Sequence, residues 1–334
     1  MRGAGPDGIY EEEESVVSSQ GSVAWSTSNS TNHSMLPETF SRTIIELHGE
    51  TGRAWLNCLP ALIDLHARRW SLTVNPPFHP LSHNYVAPAI RSDGLEVVLK
   101  AGVPGPELFA EMDALALYDG RGMVQLLECS RDEGVMLLER LKPGTPLVHE
   151  RDDRDATSIA AAIMRQLWRP LPQEHSFPTV SAWAMGLQRL RERFEGGTGP
   201  FPARLVTMAE RLFTELQESA ADPVLLHGDL HHWNIVAAER QPWLALDPKG
   251  VAGEPAYEPG AMLRNPWPDL LKEPYPGRIL ARRADQFADE LGLDRGRITG
   301  WAIAQAVLSA WWSLEDHGRG WEWWIECADL ISHS

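Results

Sequence analysis

Apolar positions divide the chain into regions of different period. Within Thr39–His48 they recur at helical spacing (Phe40, Ile44, Ile45, Leu47), and again within Trp55–Trp70 (Leu56, Leu59, Leu62, Ile63, Leu65), which predicts two successive helices. Pro76, Pro77 and Pro80 then stop helix and open a stretch of short apolar runs parted by turns. A strand follows the polar Ser82-His83-Asn84, Arg91-Ser92-Asp93-Gly94 is a hairpin turn, and Leu95–Lys100 is the next strand. Two further strands, Met123–Leu127 and Val135–Leu138, flank the turn Ser130–Gly134. Between them and Lys100, Pro104–Tyr118 reads as a helix, with proline at its start and Gly120 after its end. From 152 to 221 the period is helical throughout, in Ile159–Trp168, Trp183–Phe194 and Pro200–Ala220, and three more helices, Arg282–Leu291, Ile298–Leu314 and Trp321–Leu330, close the chain.

One stretch in the helical half breaks that period. Val224-Leu225-Leu226 is a short apolar strand, His227–Asn234 a polar loop, and Ile235-Val236-Ala237 and Trp243–Leu246 are strands that end on Asp247. Asp229 and Asn234 have the Asp-x-x-x-x-Asn spacing of the protein-kinase catalytic loop, in which the Asp accepts the proton of the attacking hydroxyl and the Asn holds a magnesium ion. Asp247 is placed to hold the metal from the other side. Two plainer readings compete. The Asp and Asn could be turn residues that bond their own backbone, and His227-x-Asp229-x-His231-His232 could be a zinc cluster. Zinc hydrolysis would need further ligands, and downstream only His317 and His333 remain.

Lys100 ends an apolar strand. Such a lysine is commonly a surface residue whose stem packs and whose ammonium snorkels to water. Upstream of an Asp–Asn loop it reads instead as the kinase lysine that holds the nucleotide's α- and β-phosphates. That lysine needs a carboxylate on the following helix. Glu107 and Glu111 share one face of it, and Glu111 is the better placed. The run Glu139-Arg140-Leu141-Lys142-Pro143-Gly144 then stands where a kinase has its interlobe hinge, so adenine would pair with backbone near Glu139 and Leu141.

Composition narrows the setting. A chain of 334 residues with 43% apolar content can bury a large core, as one domain or as two lobes. Fourteen Trp, most of them after residue 160, are best read as core of the helical part. The net charge of −16 repels nucleic acid and anionic membrane and attracts cations. Cys58, Cys129 and Cys327 form no CxxC pair and suit a reducing compartment. No apolar run reaches the ~18 residues of a membrane span, and no apolar signal segment opens the chain, so a cytosolic protein is expected. Residues 1–34, rich in Ser, Gly and Glu, hold few large apolar side chains and read as a disordered tail.

Taken together, these residues resemble the aminoglycoside phosphotransferase family, in its streptomycin 6-kinase and hydroxyurea-kinase branch. The resemblance rests on Asn84–Ala89, Val98-Leu99-Lys100, Leu137–Leu141, Leu226–His231 with Asn234, Leu246-Asp247-Pro248-Lys249-Gly250, Leu263-Arg264-Asn265-Pro266 and Trp312–Asp316, and spans about residues 37 to 332. It implies an α+β, two-lobed, protein-kinase-like fold: a small N-terminal lobe with an antiparallel sheet over 35–138, and a larger, mostly helical C-terminal lobe over 139–334. It also implies ATP and magnesium as cofactors and a cationic small molecule as substrate, with no obligate protein partner evident. By the resemblance, Asp229 is the base, Asn234 and Asp247 bind magnesium, Lys100 and Glu111 position the triphosphate, and His227 fixes the loop. Ser82, His83 and Asn84 replace a Gly-rich phosphate loop, which this chain lacks. No Phe-Gly follows Asp247, and Glu258 stands where an Asp is expected. The family's acceptor pocket lies on the C-terminal lobe, where Trp312, Glu315 and Asp316 could hold a guanidinium by stacking and charge.

Overall fold

The structure, a computed structural model, describes residues 36–333; the tail expected over 1–34 lies outside the described residues. The N-terminal part runs α1 (Glu38–Arg69), β1 (Leu72–Val74), β2 (Tyr85–Arg91), β3 (Glu96–Ala101), α2 (Pro106–Tyr118), β4 (Leu126–Ser130) and β5 (Val135–Glu139). α1 is broken at Gly49 (φ 56°, ψ −132°), so its two limbs match the two periodic stretches. The strands form a five-stranded sheet in the order β1-β2-β3-β5-β4, and every pairing in it is antiparallel. The expected strand at Met123–Leu127 begins later, at Leu126, and runs on to Ser130. Met123 instead bridges in parallel to Ala245 of the other lobe, and the Val124 N–H donates to the Ala245 carbonyl at 2.8 Å. This segment ties the lobes together before it joins the sheet. A pattern of apolar residues cannot tell which neighbouring strand will claim a backbone group.

The C-terminal part runs β6 (Pro143–Pro146), α3 (Asp153–Leu167), β7 (Arg169–Pro170), α4 (Val180–Arg193), α5 (Ala203–Glu218), β8 (Val224–Leu226), β9 (Ile235–Ala238), β10 (Trp243–Ala245), β11 (Val251–Gly253), α6 (Pro259–Leu263), α7 (Asp269–Lys272), α8 (Pro276–Leu291), α9 (Arg295–His317) and α10 (Glu322–Ser332). Two small sheets, β10-β9-β6 and β11-β8-β7, frame the polar loop. β11 falls in a stretch for which the sequence predicts no strand. Its three residues are too few to show a period, and pairing with Val224–Leu226 makes it a strand. Among the described residues no helix is long and apolar enough to cross a membrane.

Strand parity divides the core. On β3, Val97, Leu99 and Ala101 pack beneath α1 with Phe40, Ile44, Trp55 and Leu59. Side chains of a strand alternate between faces, so Val98 and Lys100 point to the other face. β5 divides in the same way: Val135 and Leu137 join the small core, and Met136 and Leu138 join the large one. α2 sends Leu108, Met112, Leu115 and Tyr118 into the large core as well, although the sheet precedes and follows it in sequence. Each fully buried side chain of this size contributes about 1.5–3 kcal/mol, so α2 is anchored to the C-terminal lobe's core. In that lobe Trp301 and Trp311 are buried, as the core reading of the tryptophans expects.

Candidate active site

The loop Leu226–Asn234 is shaped by its own polar groups. His227 uses both ring nitrogens: Nε2 donates to the Leu246 carbonyl at 2.9 Å, and Nδ1 accepts from the Asp229 N–H at 3.2 Å. This is the neutral imidazole, and burial pushes its pKa down to about 4. Gly228 follows with φ +83°, where a Cβ would come within 2.8 Å of Val251 and 3.0 Å of Trp183, so both backbone and packing require glycine. The Asn234 Nδ2 donates to the Asp229 carbonyl at 2.9 Å and closes the loop. The Asp229 side chain is 33% exposed, with the His231 Nε2 3.8 Å from its carboxylate. Burial alone would raise its pKa. Interactions with His231, Lys249, Arg264 and His227 outweigh that and hold it below the ordinary carboxylate range, so the carboxylate is ionised at neutral pH.

Lys100 joins α2 to the turn that follows β10. Its Nζ donates to Glu111 Oε1 at 2.6 Å and to Asp247 Oδ1 at 2.9 Å. The lysine is 3% exposed and Glu111 8%. Burial would lower the Lys100 pKa, but Asp247 and Glu111 outweigh it and hold the ammonium well above its usual range. Glu107, the other candidate, is exposed. Asp247 sits at φ 57°, a left-handed conformation uncommon outside glycine, and this turns its carboxylate toward Lys100. A cleft opens beside them, lined by Val86, Val98, Leu138, Leu141, Val236 and Leu246, which make it an apolar slot. Leu141 is buried in this wall. Glu139 contributes backbone at the lip, while its side chain is held by Arg240 at 2.9 Å. Ser82-His83-Asn84 precedes β2 at the end of β3, where Gly102 leaves room for the Asn84 amide that any Cβ would overlap.

Asn234 Oδ1 and the second oxygen of Asp247 make no hydrogen bond with any described residue and lie on adjoining loops. Two hard oxygen donors suit magnesium, which is commonly held by one or two side chains plus substrate phosphates. The zinc reading has no such support. His227 is committed on both nitrogens, and no group of three His, Cys, Asp or Glu side chains among the described residues comes together to hold a metal.

Trp312, Glu315 and Asp316 are arranged differently. Trp183 and Trp312 meet edge to face at 5.6 Å, and Tyr257 packs 6.2 Å from Trp183. Glu315 is already bound in a bidentate pair to Arg189, both contacts at 2.9 Å. Asp316 has no such partner. Its partial burial raises its pKa, and the negative fields of Glu315 and, from α2, Glu107 add to that.

Two supporting residues had no role assigned from sequence. Glu258 is 1% exposed and accepts the N–H of His227 at 2.7 Å and of Gly228 at 2.9 Å. It therefore clamps the loop by its backbone. Arg264 is buried near Asp229, its Nη1 donating to Gln305 at 2.6 Å. In the sequence Glu258 stands where an Asp is expected and Arg264 falls in Leu263-Arg264-Asn265-Pro266, but neither position shows what its side chain bonds.

A family model described as aminoglycoside/hydroxyurea antibiotic resistance kinase matches residues 69–317. The chain is 33% identical to a streptomycin 6-kinase of Streptomyces glaucescens, over 84% of this chain and 91% of that one. It is 35% identical to a hydroxyurea phosphotransferase of Kitasatospora aureofaciens, over 84% and 81%. Among solved structures it is similar in fold to aminoglycoside phosphotransferase APH(4)-Ia in a ternary complex with ADP and hygromycin B, at TM-score 0.59 and 12% identity, covering 81% of this chain and 97% of that one. A choline kinase from Streptococcus pneumoniae gives TM-score 0.58 at 12% identity, over 83% and 100%. These neighbours carry the kinase-like, two-lobed α+β fold. With the Asp229–Asn234 loop adjoining Asp247, which Lys100 joins to Glu111, the chain belongs to the aminoglycoside/hydroxyurea antibiotic resistance kinase family.

Proposed function

We propose that this chain transfers the γ-phosphoryl group of ATP to a hydroxyl of a streptomycin-type aminoglycoside, in the cytosol, and so confers resistance. The observation that carries the reading is the buried ammonium of Lys100 joining Glu111 to Asp247 opposite an ionised Asp229. Adenine lies in the apolar slot against the backbone of Glu139–Leu141. Lys100 neutralises the α- and β-phosphates, Glu111 fixes Lys100, and Ser82-His83-Asn84 lies over the triphosphate. Asn234 and Asp247 hold magnesium, which when bound neutralises phosphate charge. Asp229 accepts the hydroxyl proton as the acceptor oxygen bonds to Pγ and the bond from Pγ to the β-phosphate's bridging oxygen breaks, leaving ADP. Positioning and charge supply nearly all of the catalysis in such a transfer. On the acceptor side Asp316, with Trp312 beside it, takes a guanidinium. Glu315 contributes only if it releases Arg189.

A second reading, phosphorylation of hydroxyurea, is favoured by the 35% identity to the hydroxyurea phosphotransferase. The test is magnesium-dependent ADP release against a panel of aminoglycosides and hydroxyurea, with the phosphate located by ³¹P NMR. Release with streptomycin supports the first reading. Release with hydroxyurea alone selects the second.

A further inference from the structure

Lys249 is a cation close to Asp229 and Asp247 that pairs with no carboxylate among the described residues. The N–H groups of Lys249 and Gly250 donate to the His227 carbonyl at 2.8 and 3.2 Å, which pins the segment after Asp247 to the catalytic loop. Gly228, the residue before Asp229, lies so near that a Cβ built on it would stand 3.3 Å from the Lys249 Cβ. The lysine side chain therefore leaves the backbone where the two loops cross, and it is exposed. Its charge reaches Asp229, Asp247 and Glu111 alike.

The other cations here are occupied. Lys100 holds two carboxylates, and Arg264 is buried against Gln305. Lys249 makes no ion pair with any described residue. A cationic acceptor would be repelled by it in the ground state, so its use must lie with a negative charge that arrives between Asp229 and Asp247. The group that passes between base and metal carboxylates is the transferring phosphoryl, whose charge is spread over three equatorial oxygens.

We propose that Lys249 is a further catalytic residue, its ammonium contacting the non-bridging oxygens of the phosphoryl group in transit; this rests on the phosphotransfer reading above. The side chain forms no covalent bond and gives up no proton. An ammonium on a flexible four-carbon stem can follow the group from ADP to acceptor. An interaction made only in the transition state changes kcat and leaves ground-state nucleotide binding alone.

The test compares Lys249→Met and Lys249→Arg with wild type in three measurements: acceptor phosphorylation, acceptor-independent ATP hydrolysis, and calorimetric binding of Mg·ADP with and without fluoroaluminate, which mimics the phosphoryl in transit. For Lys249→Met, both turnovers should fall by roughly 10²–10³-fold, the size seen on removing one transition-state donor. ADP affinity should stay within about twofold while the gain from fluoroaluminate is lost. Lys249→Arg should recover much of that gain. A kcat within about threefold of wild type would overturn the proposal, as would equal weakening of ADP with and without fluoroaluminate. So would a lower KM for cationic acceptors at unchanged kcat, which would make Lys249 a selectivity element. Hydrolysis and fluoroaluminate binding need no acceptor, so they judge Lys249 even if no aminoglycoside is phosphorylated, and that result would count against the substrate reading alone.

Discussion

On the proposed nucleotide side, Lys100 is 3% exposed and held between Glu111 and Asp247. On the proposed acceptor side, Glu315 and Asp316 are exposed at the end of α9, and the one that is paired binds a surface arginine. Buried charges must be paired or they cost several kcal/mol each, so the nucleotide side tolerates few alternatives and leaves a readable motif. Exposed ion pairs are worth about 0–1 kcal/mol, so the acceptor side can change its residues freely and leaves none. The contrast predicts large losses for substitutions at the first side and graded changes of KM at the second.

The largest effect should come from Asp229→Asn, which keeps shape and removes the proton acceptor. Turnover should fall by about two to four orders of magnitude, with ADP affinity by calorimetry little changed; normal turnover would remove Asp229 from the role of base. Asp247→Ala should come next, followed by Asn234→Ala. Each should raise the magnesium concentration needed for half-maximal rate, with Asp247 the worse because it carries the charge. A stimulation by zinc that His231→Ala abolishes would revive the cluster reading.

Glu258→Gln turns an amide toward one of two backbone N–H groups and leaves a buried donor unpaired. It should cost about 1–3 kcal/mol of stability and lower kcat more than it alters the KM for ATP. The pH dependence has a definite sign. Burial raises the carboxyl from 4.5 to about 7 in the fold, so between those values the native state binds more protons than the unfolded chain. The group's contribution to stability is therefore fully present below about 4.5 and is lost as pH rises to about 7. Melting curves of wild type against Glu258→Gln across that window read it directly; a difference that grew with pH would contradict this.

Smaller changes belong to the acceptor side. Asp316→Asn should raise KM for a cationic aminoglycoside by roughly tenfold, the size of one charge-assisted pair, at constant KM for ATP. Glu315→Gln should do less, because Arg189 already occupies that carboxylate. Equal effects would mean that the Arg189 pair opens on binding. The smallest effect should follow removal of residues 1–34, whose composition offers few apolar anchors; melting temperature and turnover should stay near wild type.

The Asp-x-x-x-x-Asn spacing, the lysine at the end of an apolar run, the order of helices and strands, and the core role of Trp301 and Trp311 could all be read from the chain, because each follows from local period or from a motif whose chemistry fixes its spacing. The sequence already favours Glu111 over Glu107, and the structure pairs Glu111 with Lys100 and leaves Glu107 exposed. Glu258 and Arg264 stand out in the sequence without showing their partners, since a carboxylate that clamps a loop through its backbone leaves no trace of what it bonds. The start of β4 was misplaced because Met123 and Val124 answer to Ala245, more than a hundred residues away. Periodicity and composition are local, and they determined which segments are strands, helices and polar loops. Which carboxylate meets Lys100, which oxygens remain free for a metal, and which acidic side chain is left open to a substrate were decided by the tertiary structure, because burial and pairing depend on residues far apart in the chain.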